Sequence, residues 1–213
     1  MPVYAEELRP TTFSYARIYD LITQFEDIDA DDRDRLEFWA RLRSNTENVR
    51  YEDISLEIVR NDKATPVKLN ELGMIVLPMS TRLRSQNPTV VSNQPIGSLR
   101  LGLAIVIKPP GRGSFNYSEL VEAVDQVNNA VRKKARVPAN QVPEAVGITF
   151  KFDPADESEL VINLDGSTRR EYADETGTLN LRIENELIDE ESGEGPSVSL
   201  SSRPLVIFPW FGR

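Results

Sequence analysis

Trp39, Arg41 and Arg43 fall at alternate positions in the run Glu37-Phe38-Trp39-Ala40-Arg41-Leu42-Arg43. An indole beside guanidinium groups is a common recognition pairing for sugars, peptides or another protein. The plainer reading is that a helix over Phe13–Phe25, or the other half of the chain, covers Trp39. A second aromatic group, Phe208-Pro209-Trp210-Phe211, ends the chain. Trp210 either offers a binding platform or docks inward and pins the terminus.

The zeros narrow the chemistry further. There is no histidine and no cysteine among 213 residues. Serine–histidine–aspartate triads, cysteine–histidine pairs, disulfides and the commonest zinc, copper and iron ligands are therefore excluded. Carboxylates, lysine, tyrosine and hard cations remain. No P-loop, GxGxxG or GxSxG pattern occurs, so no cofactor is expected.

Acidic clusters are the weak metal candidates. Asp153, Asp156 and Glu157, with Glu159, lie between two expected strands, and Asp189, Glu190, Glu191 and Glu194 form another group. Either suits calcium in residue type, but a charged hairpin loop that keeps strand edges soluble explains both. Asp27, Asp29, Asp31, Asp32 and Asp34 resemble a calcium loop at first sight. An EF-hand counted from Asp27 needs glycine at position 6 and glutamate at position 12. Asp32 and Phe38 stand there, so a solvated acidic connection is the simpler account. The basic run Arg132, Lys133, Lys134 and Arg136 ends an expected helix, where cations suit the helix dipole.

Charge is unevenly placed. Residues 153–194 hold 14 acids against 3 bases, a net of −11, which leaves +2 for the rest of a chain whose total is −9. That half should repel nucleic acid and anionic membranes, and no nucleic-acid partner is expected. No apolar run approaches the roughly 18 residues of a membrane span. Met1–Pro10 lacks the apolar stretch of a signal peptide. The chain is then either cytoplasmic or periplasmic after signal removal.

Fourteen Pro and 11 Gly favour strands and turns over long helices. Residues 1–11 read as an extended lead-in, with Thr11 or Thr12 capping a helix. Ile18, Leu21, Ile22 and Phe25 mark that helix's apolar face. Strands are expected at 36–43, 54–58, 66–69, 74–78, 89–92 and 99–107, with a short connection over Thr81–Gln86. The run Pro109 to Gly113 breaks the pattern. After it, Ser114 or Asn116 caps a second helix with Leu120, Val124, Val127 and Val131 on one face. Strands then recur at 148–152, 160–164, 170–173, 178–183, 197–200 and 205–208.

The second series copies the first. Phe13-Ser14-Tyr15 matches Phe115-Asn116-Tyr117 at an offset of 102, and Asn70-Glu71-Leu72-Gly73 matches Asp174-Glu175-Thr176-Gly177 at 104. The expected architecture is α+β: a tandem repeat of two units, 1–109 and 110–213. Each is an amphipathic helix packed on an antiparallel sheet or small sandwich.

Phe13-Ser14-Tyr15 with Tyr19, Tyr117-Ser118-Glu119-Leu120 with the helix through Asp125–Asn129, and Val146–Phe152 also resemble a proteobacterial family, domain of unknown function 2987. The likeness covers mainly residues 12–152. It implies an exported bacterial protein and supplies no activity, ligand or catalytic residue. The resulting expectation is a non-enzymatic binding or structural module of the cell envelope, with a protein or glycan partner, as a monomer or weak homodimer. The alternatives are a carboxylate-based glycoside hydrolase and a calcium-stabilised structural module.

Overall fold

The computed structural model describes residues 9–46, 49–110, 114–189 and 191–212. The lead-in before Arg9, Gly111-Arg112-Gly113 of the break, and Glu190 of the third acidic group lie outside the described residues. The fold is mixed α and β with mostly antiparallel strands. The described residues divide into two compact units. The first runs to Gln24 and resumes over Phe38–Ala104; the second takes Phe25–Glu37 and continues from Ile105.

In the first unit, β1 (Pro10–Ser14) leads into α1 (Tyr15–Thr23). The cap is Ser14, whose Oγ accepts from the Arg17 N–H at 3.2 Å, satisfying one of the helix's free donors. Thr11 and Thr12 lie in β1 instead. Five strands form one sheet in the order β1–β6–β3–β4–β5, with β3 at Leu56–Arg60, β4 at Lys63–Leu69, β5 at Ile75–Val76 and β6 at Thr89–Pro95. The short α2 is Thr81–Gln86. Leu56 and Ile58 point inward from β3 onto Tyr15 and Ile18 of α1, together with Ala40, Leu42 and Val90. Each large aliphatic side chain so buried contributes roughly 1.5–3 kcal/mol.

β2 (Leu36–Ser44) and β7 (Leu99–Ile107) pair with each other. Their ends are tied by Asn45 N to Ser98 O and Lys108 N to Arg35 O, each 2.8 Å, so they run antiparallel. The division between units crosses β2 after Glu37 and β7 after Ala104.

In the second unit, β8 (Ser114–Asn116) precedes α3 (Tyr117–Lys134). Asn116 and Glu119 form a reciprocal capping box. Leu120, Val124 and Val127 are buried, with Ala123 and Ala130 beside them. One sheet has the order β11–β10–β13–β8 and another β12–β9–β14. Here β9 is Ala145–Lys151, β10 Glu159–Leu164, β11 Ser167–Tyr172, β12 Thr178–Arg182, β13 Ser197–Leu200 and β14 Val206–Phe211. Asn128 binds both backbone groups of Ala145, donating to its carbonyl at 3.0 Å and accepting from its N–H at 2.8 Å, and so fixes α3 on β9.

The acidic stretch 27–34 folds with this second unit. Phe25, Ile28 and Leu36 are buried. Asp27 pairs with Lys134, and Asp32 with Lys133 at 2.8 Å. Arg35 reaches Glu119 at 3.1 Å and Glu122 at 2.6 Å. Buried Gln126 donates to Asp34 Oδ1 at 2.7 Å and to Asp31 O at 3.1 Å, and accepts from Arg35 N at 3.1 Å. That amide holds the Asp34 carboxyl below the usual range, against the opposing effect of burial.

Gln126→Leu should therefore cost about 2 kcal/mol in urea denaturation, because it leaves the Arg35 N–H without its acceptor. The sign with pH follows. A depressed Asp34 pKa gives stability that is present above the ordinary carboxylate range and is lost as pH falls through the folded value. The deficit of the variant should narrow in acid.

Candidate functional site

β2 carries the alternation that brings side chains to the site. Leu36, Ala40 and Leu42 are buried, while Arg43 is exposed and Trp39 and Arg41 are half-buried on the other side. The α1 helix packs with Ala40 and Leu42, so it covers the side of β2 opposite Trp39.

Arg41 and Arg43 open onto a cleft of about 690 Å³ within the first unit, whose wall also includes Arg50, Tyr51, Glu52 and Glu71. Arg41 Nε donates to Leu72 O at 2.7 Å, which orients the guanidinium. Arg50 is committed to its own neighbours, Glu52 at 2.8 Å and Asp53 at 3.2 Å. Arg43 has no carboxylate partner among the described residues. Ser44 and Thr46 add hydroxyl groups to the rim, and Val49 an apolar patch.

The loop that supplies Arg50 and Tyr51 is held down. Asp53 O accepts from the side-chain amides of Asn93 at 2.9 Å and Gln94 at 3.0 Å. Ser55 N donates to Asn93 Oδ1 at 2.9 Å, and Asn45 Nδ2 donates to Gly97 O at 2.8 Å. Tyr51 rests on the turn at Gly73. A Cβ at Gly73 would lie 2.4 Å from the Tyr51 ring and 2.7 Å from Leu42 O, and its φ is +78°. Only glycine lets the ring approach that closely.

Trp210 lies in the second unit. On β14 it is paired with Gly147 of β9, and its ring covers that glycine. Leu181 O lies only 2.2 Å from where a Gly147 Cβ would be. Trp210 is half-buried.

Asp153, Asp156 and Glu157 lie in the turn between β9 and β10, where Asp153 Oδ1 accepts from Ala155 N at 2.9 Å. Asp189 likewise holds its own loop, accepting from Glu191 N and Ser192 N. Among the described residues, no three acidic side chains are gathered so that they could hold a metal ion. A smaller polar slot of about 230 Å³ beside α3 is lined by Asp125, Asn128, Glu144 and Arg182. Burial there raises the Asp125 carboxyl above its usual range, and Arg132 opposes the shift.

Sequence alternation found Arg41 and Arg43. It missed Arg50, Tyr51 and Glu71, which sit in a loop and a turn without periodicity. The asparagine and glycine of the Asn70–Gly73 turn were the available signal for Glu71. Arg50 and Tyr51 had none.

Fold and cleft together define an α+β protein of small antiparallel sheets that carries an open, arginine-lined recess. The chain belongs to the family described as "Protein of unknown function (DUF2987)", whose profile matches residues 7–152, from before β1 to just past β9. No curated protein and no solved structure matches it. No helix among the described residues is long and apolar enough to cross a membrane.

Proposed function

We propose that this chain is a non-catalytic binding module built from two related copies, 1–109 and 110–213, whose ligand site is the cleft at the end of β2. The observation that carries the site is the convergence of Arg41, Arg43 and Tyr51 on one recess, with the segment just after Tyr51 fixed by hydrogen bonds at Asp53 and Ser55. A prearranged recess spends less of its binding energy on ordering itself.

The relation between copies is supported by connectivity. The order β1–β6–β3–β4 recurs as β8–β13–β10–β11. Registers agree as well. Leu56 faces Val67 and Ile58 faces Val90; Leu160 faces Glu171 and Ile162 faces Val198. Tyr15 accepts from Ser80 N and donates to Pro78 O; Tyr117 accepts from Glu184 N and donates to Arg182 O. Turn glycines Gly73 and Gly177 both take positive φ.

The copies differ where the cleft lies. The first needs 14 residues from Leu42, bonded to Gly73 O, to Leu56; the second needs eight from Phe152, bonded to Gly177 O, to Leu160. The six extra residues belong to the loop that brings Arg50 and Tyr51. Sites are commonly added to a scaffold in this way, by loop variation on rigid elements.

The test is ¹H–¹⁵N mapping with a panel of neutral and charged sugars and short peptides. Shifts should cluster at Arg43, Thr46, Arg50 and Tyr51. Shifts confined to other surfaces would overturn the site. The competing reading is a carboxylate glycoside hydrolase, for which Glu52 and Glu71 of the same cleft are the pair. Turnover of an aryl glycoside that E52Q or E71Q abolishes would replace the binding reading with that one. The cell envelope is the proposed location, and fractionation with a periplasmic marker checks it.

A further inference from the structure

We infer that the ligand of this cleft bears a single carboxylate, taken by Arg43 beside Arg41, with hydroxyl or amino groups toward Glu71. The inference rests on the binding reading above and adds the ligand's chemistry.

The charges in the recess decide the count. Among the described residues, three guanidinium groups line it, and so do two carboxylates. Arg50 already faces Glu52 and Asp53. Arg41 is turned toward Leu72 O, while Arg43 is in no ion pair among the described residues and is exposed at the recess. The open guanidinium of Arg43 suits one anionic group. A guanidinium meets a carboxylate through two parallel N–H bonds, which a lone hydroxyl cannot match.

Glu52 and Glu71 set the upper limit. A dianion such as a phosphate monoester would gain at Arg43 but be repelled by both carboxylates across the same recess. Glu71 is exposed and in no ion pair among the described residues, so it offers acceptor oxygens to a ligand O–H or N–H. Tyr51 and Val49 supply the apolar wall against which a sugar ring or a short aliphatic side chain can lie. A sugar acid and a short peptide with a free C-terminus both present this chemistry.

The equivalent place in the second copy provides the contrast. Counting from the turn bonds, Lys151 stands where Arg41 does, and Asp153 where Arg43 does. Lys151 there donates to Thr178 Oγ1, and Asp153 closes a tight turn on Ala155 N. The exposed cation at this position is therefore a property of the first copy.

The experiment is isothermal titration of the full chain with paired probes: glucuronate against glucose, and N-acetylalanine against N-acetylalaninamide, with glucose 6-phosphate as the dianionic arm. The carboxylate member of at least one pair should bind roughly tenfold or more tightly than its neutral partner. R43A should lose that preference, R43K should recover part of it, and R203A, on an exposed arginine of the second unit, should leave it unchanged. Which pair responds separates a sugar acid from a peptide terminus. Equal binding of neutral and carboxylate probes, tighter binding of the phosphate, or an unaltered preference in R43A would overturn the inference. If glucose still shifted Tyr51 and Arg43 in the mapping experiment, the cleft would stand as a site and only the carboxylate assignment would fall. If no probe reached the cleft, both would fall.

Discussion

Gly177→Ala lowers the stability of the folded chain by about 3 kcal/mol, read as a shift of the urea midpoint with an unchanged m-value. Two costs add. At φ +68° the backbone is in the left-handed region, where a Cβ costs roughly 1–2 kcal/mol. A Cβ would also lie 2.4 Å from Phe152 O, and the neighbour is backbone that cannot rotate away. That carbonyl belongs to the residue whose N–H donates to Gly177 O at 2.8 Å. Relieving the clash therefore strains the bond that seats the turn on the end of β9.

Gly166 separates the two costs. Its φ is +79°, but nothing lies within 4 Å of a Cβ there. Gly166→Ala should lose only the backbone part, about 1 kcal/mol. Equal effects at both positions would show that packing at the Gly177 turn is looser than described. At Gly73 the first contact is the Tyr51 ring, so Gly73→Ala should also disturb the cleft and, on the proposed binding reading, weaken ligand binding together with stability.

How much of this was legible depended on whether the signal was local. β7 at Leu99–Ile107 and β2 from Leu36 follow directly from apolar runs and alternation. The capping asparagine at Asn116 and the turn glycines Gly73 and Gly177 declared themselves by type. β1 and β8 did not. Pro10–Ser14 and Ser114–Asn116 have no alternation worth the name, and each is a strand because β6 or β13 is there to pair with it.

The acidic stretch is the clearest case of a missing signal. Asp27 to Asp34 reads as a solvated connection, since its partners Lys133 and Lys134 lie about a hundred residues away in sequence. The basic turn of α3 had a sufficient local explanation in the helix dipole, which hid its second role. The same long-range pairing is why the compact units do not follow a single cut along the chain. For the site, strand alternation exposed Arg41 and Arg43. The loop that completes the cleft depends on Asn93 and Gln94, some forty residues further on, and no pattern within 44–55 announces them.

Tyr15→Phe and Tyr117→Phe each cost about 2 kcal/mol, and the two costs agree closely if the copies are related as proposed. Both rings are fully buried. Each hydroxyl accepts from one backbone N–H, Ser80 at 3.1 Å and Glu184 at 2.9 Å, and donates to the carbonyl two residues earlier. Removing the oxygen barely changes the packing but leaves a backbone donor and a carbonyl without their partner. The effect should therefore be far larger than for a Tyr→Phe change at exposed Tyr172.

The pH dependence checks the cause. Burial raises both phenols above their ordinary value, while the backbone N–H that each accepts pulls the other way. A raised pKa means that the folded state holds the proton more tightly than the unfolded chain does. That contribution is complete below the unfolded value near 10 and declines as pH rises through the folded value. Wild type should lose stability steeply in that alkaline window, and each Phe variant less steeply, so that the gap between them closes. A gap that stayed constant with pH would mean that the hydroxyl protons are held no more tightly in the folded chain than in the unfolded one, and burial would not be the cause of the cost.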